Sequence, residues 1–336
     1  MRWFQREQPD HRTTTLPKKF EERAAASART NPTKTKPAGP TLAQAWAELA
    51  KNGPPKLTPA QLRDYLELCG RDAQSLIVAS RLAQDSAYLF EASAQFPEDP
   101  LVQLEVALSP DASLEDKRLA LDAFRNVSPD NALGDYLSAH LAFAEGDYAT
   151  AANGLMDSVD HGTLADFSEQ ILAGTELAYR STGMDDMTAQ LAAMATLTRP
   201  TLTPLRKVSQ QLDGLKDEFI KTADFDAAIP AVIIGLNLGQ KIQANAPFLI
   251  DQLVGMSIER NFLEQLDPLT QVGLGGQTAE ERLRTLEQDR QAITTQTQAF
   301  ADIALRMDAE TSKEYFGRMR RDGELAAMKW VVAKLK

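Results

Sequence analysis

The sequence predicts an all-α protein: a disordered basic N-terminal tail, a repeat-like solenoid of short helices, and a C-terminal helical domain. Three observations carry that prediction. Ala and Leu are the most frequent residues and β-branched runs are scarce, which favours helix through intrinsic propensity. From Asp72 to Met194 helix breakers recur at intervals of about one helix length: Phe96-Pro97-Glu98-Asp99-Pro100, Ser109-Pro110, Ser128-Pro129, Gly146-Asp147, Gly162 and Gly183. Between them no strand-like alternation and no Asn-Gly hairpin signal occurs.

Taken in order, residues 1–40 contain Pro32–Pro40 and lack sustained periodicity, so they read as a tail or linker with a short helix around Phe20–Ala28. Leu42, Trp46 and Leu49 mark a first helix, ended by Asn52-Gly53-Pro54-Pro55. Thr58-Pro59-Ala60-Gln61 is a helix start: a Thr cap, Pro at the first helical position, and Gln able to reach back. Leu62, Tyr65, Leu66 and Cys69 form the apolar face of that helix, and Gly70 closes it. Short antiparallel helices between the later breakers stack into a solenoid over 41–199.

The character of the chain changes after Arg199-Pro200, and residues 200–336 read as a separate helical domain. Leu205, Val208, Leu212, Leu215 and Phe219 predict a longer helix over 201–222. Residues 227–240, AAIPAVIIGLNLGQ, carry no charge; they are too few to span a bilayer and read as a buried core helix. Gly273-Leu274-Gly275-Gly276 is a flexible break before a capping box at Thr278-Ala279-Glu280-Glu281. Leu283, Leu286, Ile293, Phe300 and Met307 keep heptad spacing, but Arg290, Thr297 and Ala304 interrupt the seam, so that helix packs on its own domain instead of pairing as a zipper.

Charge narrows the function classes. Residues 1–40 hold nine Lys/Arg against four acids, which leaves a net −16 on the rest of a chain whose total is −11. An acidic body repels phosphates, so no nucleic-acid partner is expected. Cys69 is the single cysteine, so no internal disulfide forms, and its LELCG context makes it a buried small hydrophobe. The start MRWFQREQPDH has no apolar signal core, and the chain as written reads as cytoplasmic. Trp3 and Phe4 flanked by Arg2 and Arg6, followed by a spacer, is however the pattern that follows a membrane anchor. The alternative expectation is an upstream tether that would place the protein at the cell envelope or periplasm.

Residues 132–158 carry small Ala139 inside a first helix, the turn Gly146-Asp147-Tyr148, Ala151 three residues on, and bulky Leu155. On these residues the segment resembles a tetratricopeptide repeat, a helix-turn-helix of about 34 residues that stacks into a scaffold. Two positions depart from the pattern: Asp135 sits where a bulky residue is usual, and Thr163 where proline is frequent. Proline recurs at Pro97 and Pro129, and the likeness covers one good repeat and two degenerate ones over 72–198. It implies a concave helical surface for a protein or peptide partner.

No reaction is named by the remaining motifs. The glycine-rich 273–276 segment lacks both a preceding strand pattern and the Lys-Ser/Thr of a phosphate loop, and no Gly-x-Ser-x-Gly elbow is present. His140, His161 and Asp157 or Asp160 lack the close spacing of a zinc motif, so neither metal nor cofactor is expected. Asp185-Asp186 and Glu280-Glu281 read as helix-capping carboxylates. The functional expectation is a non-enzymatic protein-interaction scaffold, with Tyr136, His140 and Phe143 as partner-binding residues on one helical stripe. The alternative is an enzyme or small-ligand binder whose pocket lies between the solenoid and the C-terminal helices, with 227–263 as one wall.

Overall fold

The computed structural model describes residues 42–272 and 276–336. The expected N-terminal tail, its short helix at Phe20–Ala28 and residues 273–275 of the glycine break lie outside them.

The protein is all-α. Sixteen helices follow one another among the described residues: α1 (Leu42–Asn52), α2 (Pro59–Cys69), α3 (Ala73–Ala83), α4 (Ala87–Gln95), α5 (Pro100–Leu108), α6 (Leu114–Val127), α7 (Leu133–Glu145) and α8 (Tyr148–Asp160). They continue as α9 (Ser168–Ser181), α10 (Asp186–Thr196), α11 (Leu202–Lys221), α12 (Phe225–Ala244), α13 (Leu249–Leu263), α14 (Ala279–Ala304), α15 (Ala309–Asp322) and α16 (Glu324–Leu335). A two-residue antiparallel ladder, β1 (Gln271–Val272) with β2 (Gln277–Thr278), precedes α14.

Local chemistry sets these boundaries. The Thr58 hydroxyl accepts from the Gln61 backbone while the Gln61 side chain accepts from the Thr58 N–H, and Pro59 opens α2. Thr278 and Glu281 form the same reciprocal cap on α14, and Ser113 with Asp116 on α6. Gly70 and Gly146 end α2 and α7 at positive φ, a conformation that costs a side-chain-bearing residue energy.

Consecutive helices pack in pairs, α3 with α4, α5 with α6, α7 with α8, α9 with α10 and α11 with α12. Packing is not confined to sequence neighbours, as it would be in a simple stack. Helix α9 returns to α2 and α3, α11 lies across α7, and α1 sits on α10. The return of α9 is close: a Cβ on Gly174 would meet Val78 at 2.9 Å. One buried cluster runs from Leu62 on α2 through α8 and on to Leu205, Val208 and Leu212 of α11 and Ile234 and Leu238 of α12. Apolar packing is therefore continuous across position 200. A second cluster joins α1, α9 and α10 to α15 and α16, and a third joins α13 to α14.

The uncharged stretch 227–240 is buried on one side only. Gly235 and Gly239 let α12 approach α13 so closely that a Cβ would strike the Phe262 ring or the Glu259 backbone, whereas Ile229 and Ile233 on its outer side stay half exposed. Glu259 is fully buried at this crossing, and its carboxylate accepts from Gln240, Gln243 and the Nε and Nη2 of Arg282 at 2.7–2.9 Å. Burial alone would raise the pKa of Glu259, but those bonds outweigh it and hold the carboxyl below its ordinary value.

Candidate functional site

The C-terminal ends of α6 and α8 flank the N-terminal turn of α7, and the three enclose a polar cleft of about 690 Å³. Asp122 and Arg125 come from α6, Asp135 from α7, and Asp157, Asp160 and His161 from α8 and the residue that follows it. The packing that places them is that of the repeat-like pair: Ala139, Ala142, Ala151 and Leu155 are buried where α7 and α8 meet.

Asp135 is the centre of the cleft floor. It is fully buried, and its two oxygens divide between two cationic or donor groups: Arg125 Nε lies 2.9 Å from Oδ1, and His161 Nδ1 donates to Oδ2 at 2.6 Å. Burial raises the Asp135 pKa, opposed by the charges of Arg125 and His161. A carboxylate in the first turn of α7 also faces the positive end of that helix.

His161 is fixed by a clasp between two loops. The Gly162 N–H donates to Asp130 Oδ1 at 3.0 Å, the Ala132 N–H to the Thr163 carbonyl at 3.0 Å, and the Ala165 N–H to Asn131 Oδ1 at 3.1 Å, with Asn131 Nδ2 donating back to the Ala165 carbonyl at 2.9 Å. Asn131 and Thr163 form a parallel bridge. Beneath the clasp, the Lys241 ammonium of α12 donates to the carbonyls of Ser158, Val159 and His161, satisfying the end of α8 with a cation. Burial lowers the pKa of Lys241.

The rim is acidic, with Lys241 below it acting on Asp160 and Asp130. Asp122 makes no hydrogen bond or ion pair among the described residues, and Asp157 has only Arg125, at 4.0 Å. Apolar shoulders flank it: Leu119, one turn before Asp122, is 59% exposed, and Met156, one turn before Asp160, is 54% exposed. A second cleft, of about 770 Å³, lies between α1, the Gly53–Lys56 turn and Thr188 of α10; Glu48 and Lys56 are its charged lining residues. Neither cleft takes a residue from 227–263.

The expected partner-binding residues are placed elsewhere. Tyr136 and Phe143 are buried in the core and offer no surface to a partner; Phe143 meets Tyr148 edge-on at 6.0 Å between ring centroids. His140 is half-buried, and burial together with Lys207 of α11 and Lys117 of α6 lowers its pKa. Since α11 covers that side of α7, the stripe that the periodicity marks is used for packing within the chain. Of the residues weighed as metal ligands, His161, Asp157 and Asp160 do converge on the cleft, without His140. Among the described residues no group of three or more His, Cys, Asp or Glu side chains is arranged to hold a metal ion.

The chain matches no family model, no curated protein and no solved structure. The functional reading therefore rests on the geometry of the cleft and its surroundings. An Asp-oriented imidazole can transfer a proton, yet no hydroxyl or thiol among the described residues is hydrogen-bonded to His161. The cleft combines rim carboxylates, the hydrogen-bonded clasp around His161 and the exposed side chains of Leu119 and Met156.

Proposed function

We propose that the protein is a non-enzymatic interaction module, built on tetratricopeptide-like helix pairs, that binds a protein partner at the cleft between α6, α7 and α8. The observation that carries this reading is the pairing of an acidic cleft with two exposed apolar shoulders, Leu119 and Met156, on helices whose opposite faces are buried. Interfaces draw affinity from a few apolar anchors and specificity from charges beside them. The two positions at which the repeat pattern is broken support it further: Asp135 forms the cleft floor and Thr163 belongs to the clasp that holds His161. Departures from a packing pattern collect where function overrides packing.

The test is affinity capture from lysate of the source cells, with the full chain and with its Leu119→Ser/Met156→Ser variant as baits, followed by cross-linking of the captured complex. The expected result is a stoichiometric partner that cross-links to α6 and α8 and is retained at least fivefold less by the variant. Equal retention by both baits, or cross-links confined to other helices, would contradict the reading.

A further inference from the structure

We infer that the occupant of the cleft is a basic amphipathic segment of a protein partner, an assignment that rests on the interaction reading above and gives it a chemistry. The cleft gathers four aspartates, Asp122, Asp135, Asp157 and Asp160, against Arg125 and His161. Asp135 is already committed to Arg125 and His161, Asp160 lies in the field of the Lys241 ammonium and Asp157 has only Arg125 at 4.0 Å, so the cleft keeps an excess of negative charge centred on Asp122 and Asp157. The chain outside residues 1–40 carries a net −16, so the surrounding field attracts a cationic segment from a distance and repels an acidic one.

Charge alone would accept any polycation, and the apolar shoulders narrow the choice. Leu119 precedes Asp122 by three residues and Met156 precedes Asp160 by four, so each shoulder shares a helical face with a rim carboxylate. A ligand that satisfies both carries Lys or Arg beside apolar side chains at the same spacing. Met at such a surface tolerates different apolar partners because its side chain is flexible and polarizable. The cleft is lined from α6, α7 and α8 and not from a single exposed helix, so the occupant lays its side chains across α6 and α8 together.

The test is selection of random 16-residue peptides displayed on phage against the immobilised full chain, followed by fluorescence anisotropy with a synthetic peptide of the enriched consensus. Three variants are compared: Asp122→Asn/Asp157→Asn/Asp160→Asn, Leu119→Ser/Met156→Ser, and a control that removes the same charge from distant exposed positions, Asp64→Asn/Glu98→Gln/Asp289→Asn. All are surface substitutions, and circular dichroism verifies that each folds. The expected consensus is net positive with interspersed apolar residues, weakened about tenfold by the rim variant, about fivefold by the shoulder variant and less than about twofold by the control.

Enriched peptides that are not basic, or that bind all variants alike, overturn the assigned chemistry while an interaction module survives. Equal loss with the rim variant and the control reduces the effect to net charge and also overturns it. If selection returns nothing and the amide resonances of residues 1–40 in the full chain shift on the rim substitutions, the chain's own basic segment fills the cleft and no partner segment does. If selection returns nothing and those resonances stay in place, the interaction reading fails with it.

Discussion

At the scale of single residues, two buried carboxylates behave in opposite ways. Asp135 and Glu259 both lose their hydration, but Glu259 gains four hydrogen bonds whereas Asp135 gains Arg125 and His161, both partly open to water. The Glu259 pKa is consequently lowered and the Asp135 pKa raised. A depressed carboxylate contributes stability above its unfolded-state pKa and loses it as pH falls through the folded value. Glu259→Gln is therefore expected to cost about 2 kcal/mol near neutral pH, with Arg282 a quarter exposed and the loss discounted accordingly. The difference from the wild type should shrink below the ordinary glutamate pKa of 4.5. Urea denaturation of both proteins between pH 3 and pH 7 measures it; a pH-independent difference would contradict the ion-pair account.

At the scale of elements, the sequence is informative wherever an ending is chemical. The capping boxes at Thr58 and Thr278, the glycine exit at Gly70 and the breakers from Phe96 to Gly183 all coincide with observed helix ends. These signals act within four residues, so the chain spells them out locally. The depth of α12 is different. A run without charges reads as buried all round, and its half-exposed Ile229 and Ile233 follow from which neighbours arrive, which no local pattern encodes. What Gly239 does is likewise visible only in three dimensions. Gly239→Ala is expected to destabilise by about 3 kcal/mol, because the added Cβ meets the Glu259 backbone nitrogen at 2.6 Å and that atom cannot rotate away. Gly214→Ala, in the interior of α11 with open space around the new Cβ, should instead stabilise by roughly 0.5–1 kcal/mol. Thermal melts of the pair check both signs, and a neutral Gly239→Ala would mean that α12 and α13 are not in close contact.

At the scale of the whole molecule, the division expected at Arg199-Pro200 meets a core that continues through it. Leu205, Val208 and Leu212 belong to the same buried cluster as Tyr136 and Phe143. A fragment comprising residues 42–199 lacks α11 over α7 and is predicted to lose dispersed amide resonances that the full chain retains. A well-dispersed spectrum from the fragment would show that the first unit folds alone. The same long-range return explains why the cleft was only partly legible. The anomalies at Asp135 and Thr163 were readable as departures from a repeat pattern, and Asp157, Asp160 and His161 as a cluster of potential ligands. Their union with Asp122 and Arg125 depends on α6 and α8 both packing on α7, through contacts 26 or more residues apart in sequence. Tyr136 and Phe143 of the stripe on α7 are buried, since periodicity marks a buried side without saying what buries it.

The proposed partner engages the cleft between α6, α7 and α8. Hydrogen–deuterium exchange of the full chain, alone and saturated with its captured partner, tests it most directly. The account predicts added protection concentrated at the ends of α6 and α8 and in the 161–165 clasp, with α12 and α14 unchanged. Protection centred on α12 around Ile229 and Ile233, or on α1 and the Gly53–Lys56 turn, with the cleft exchanging as before, would contradict it.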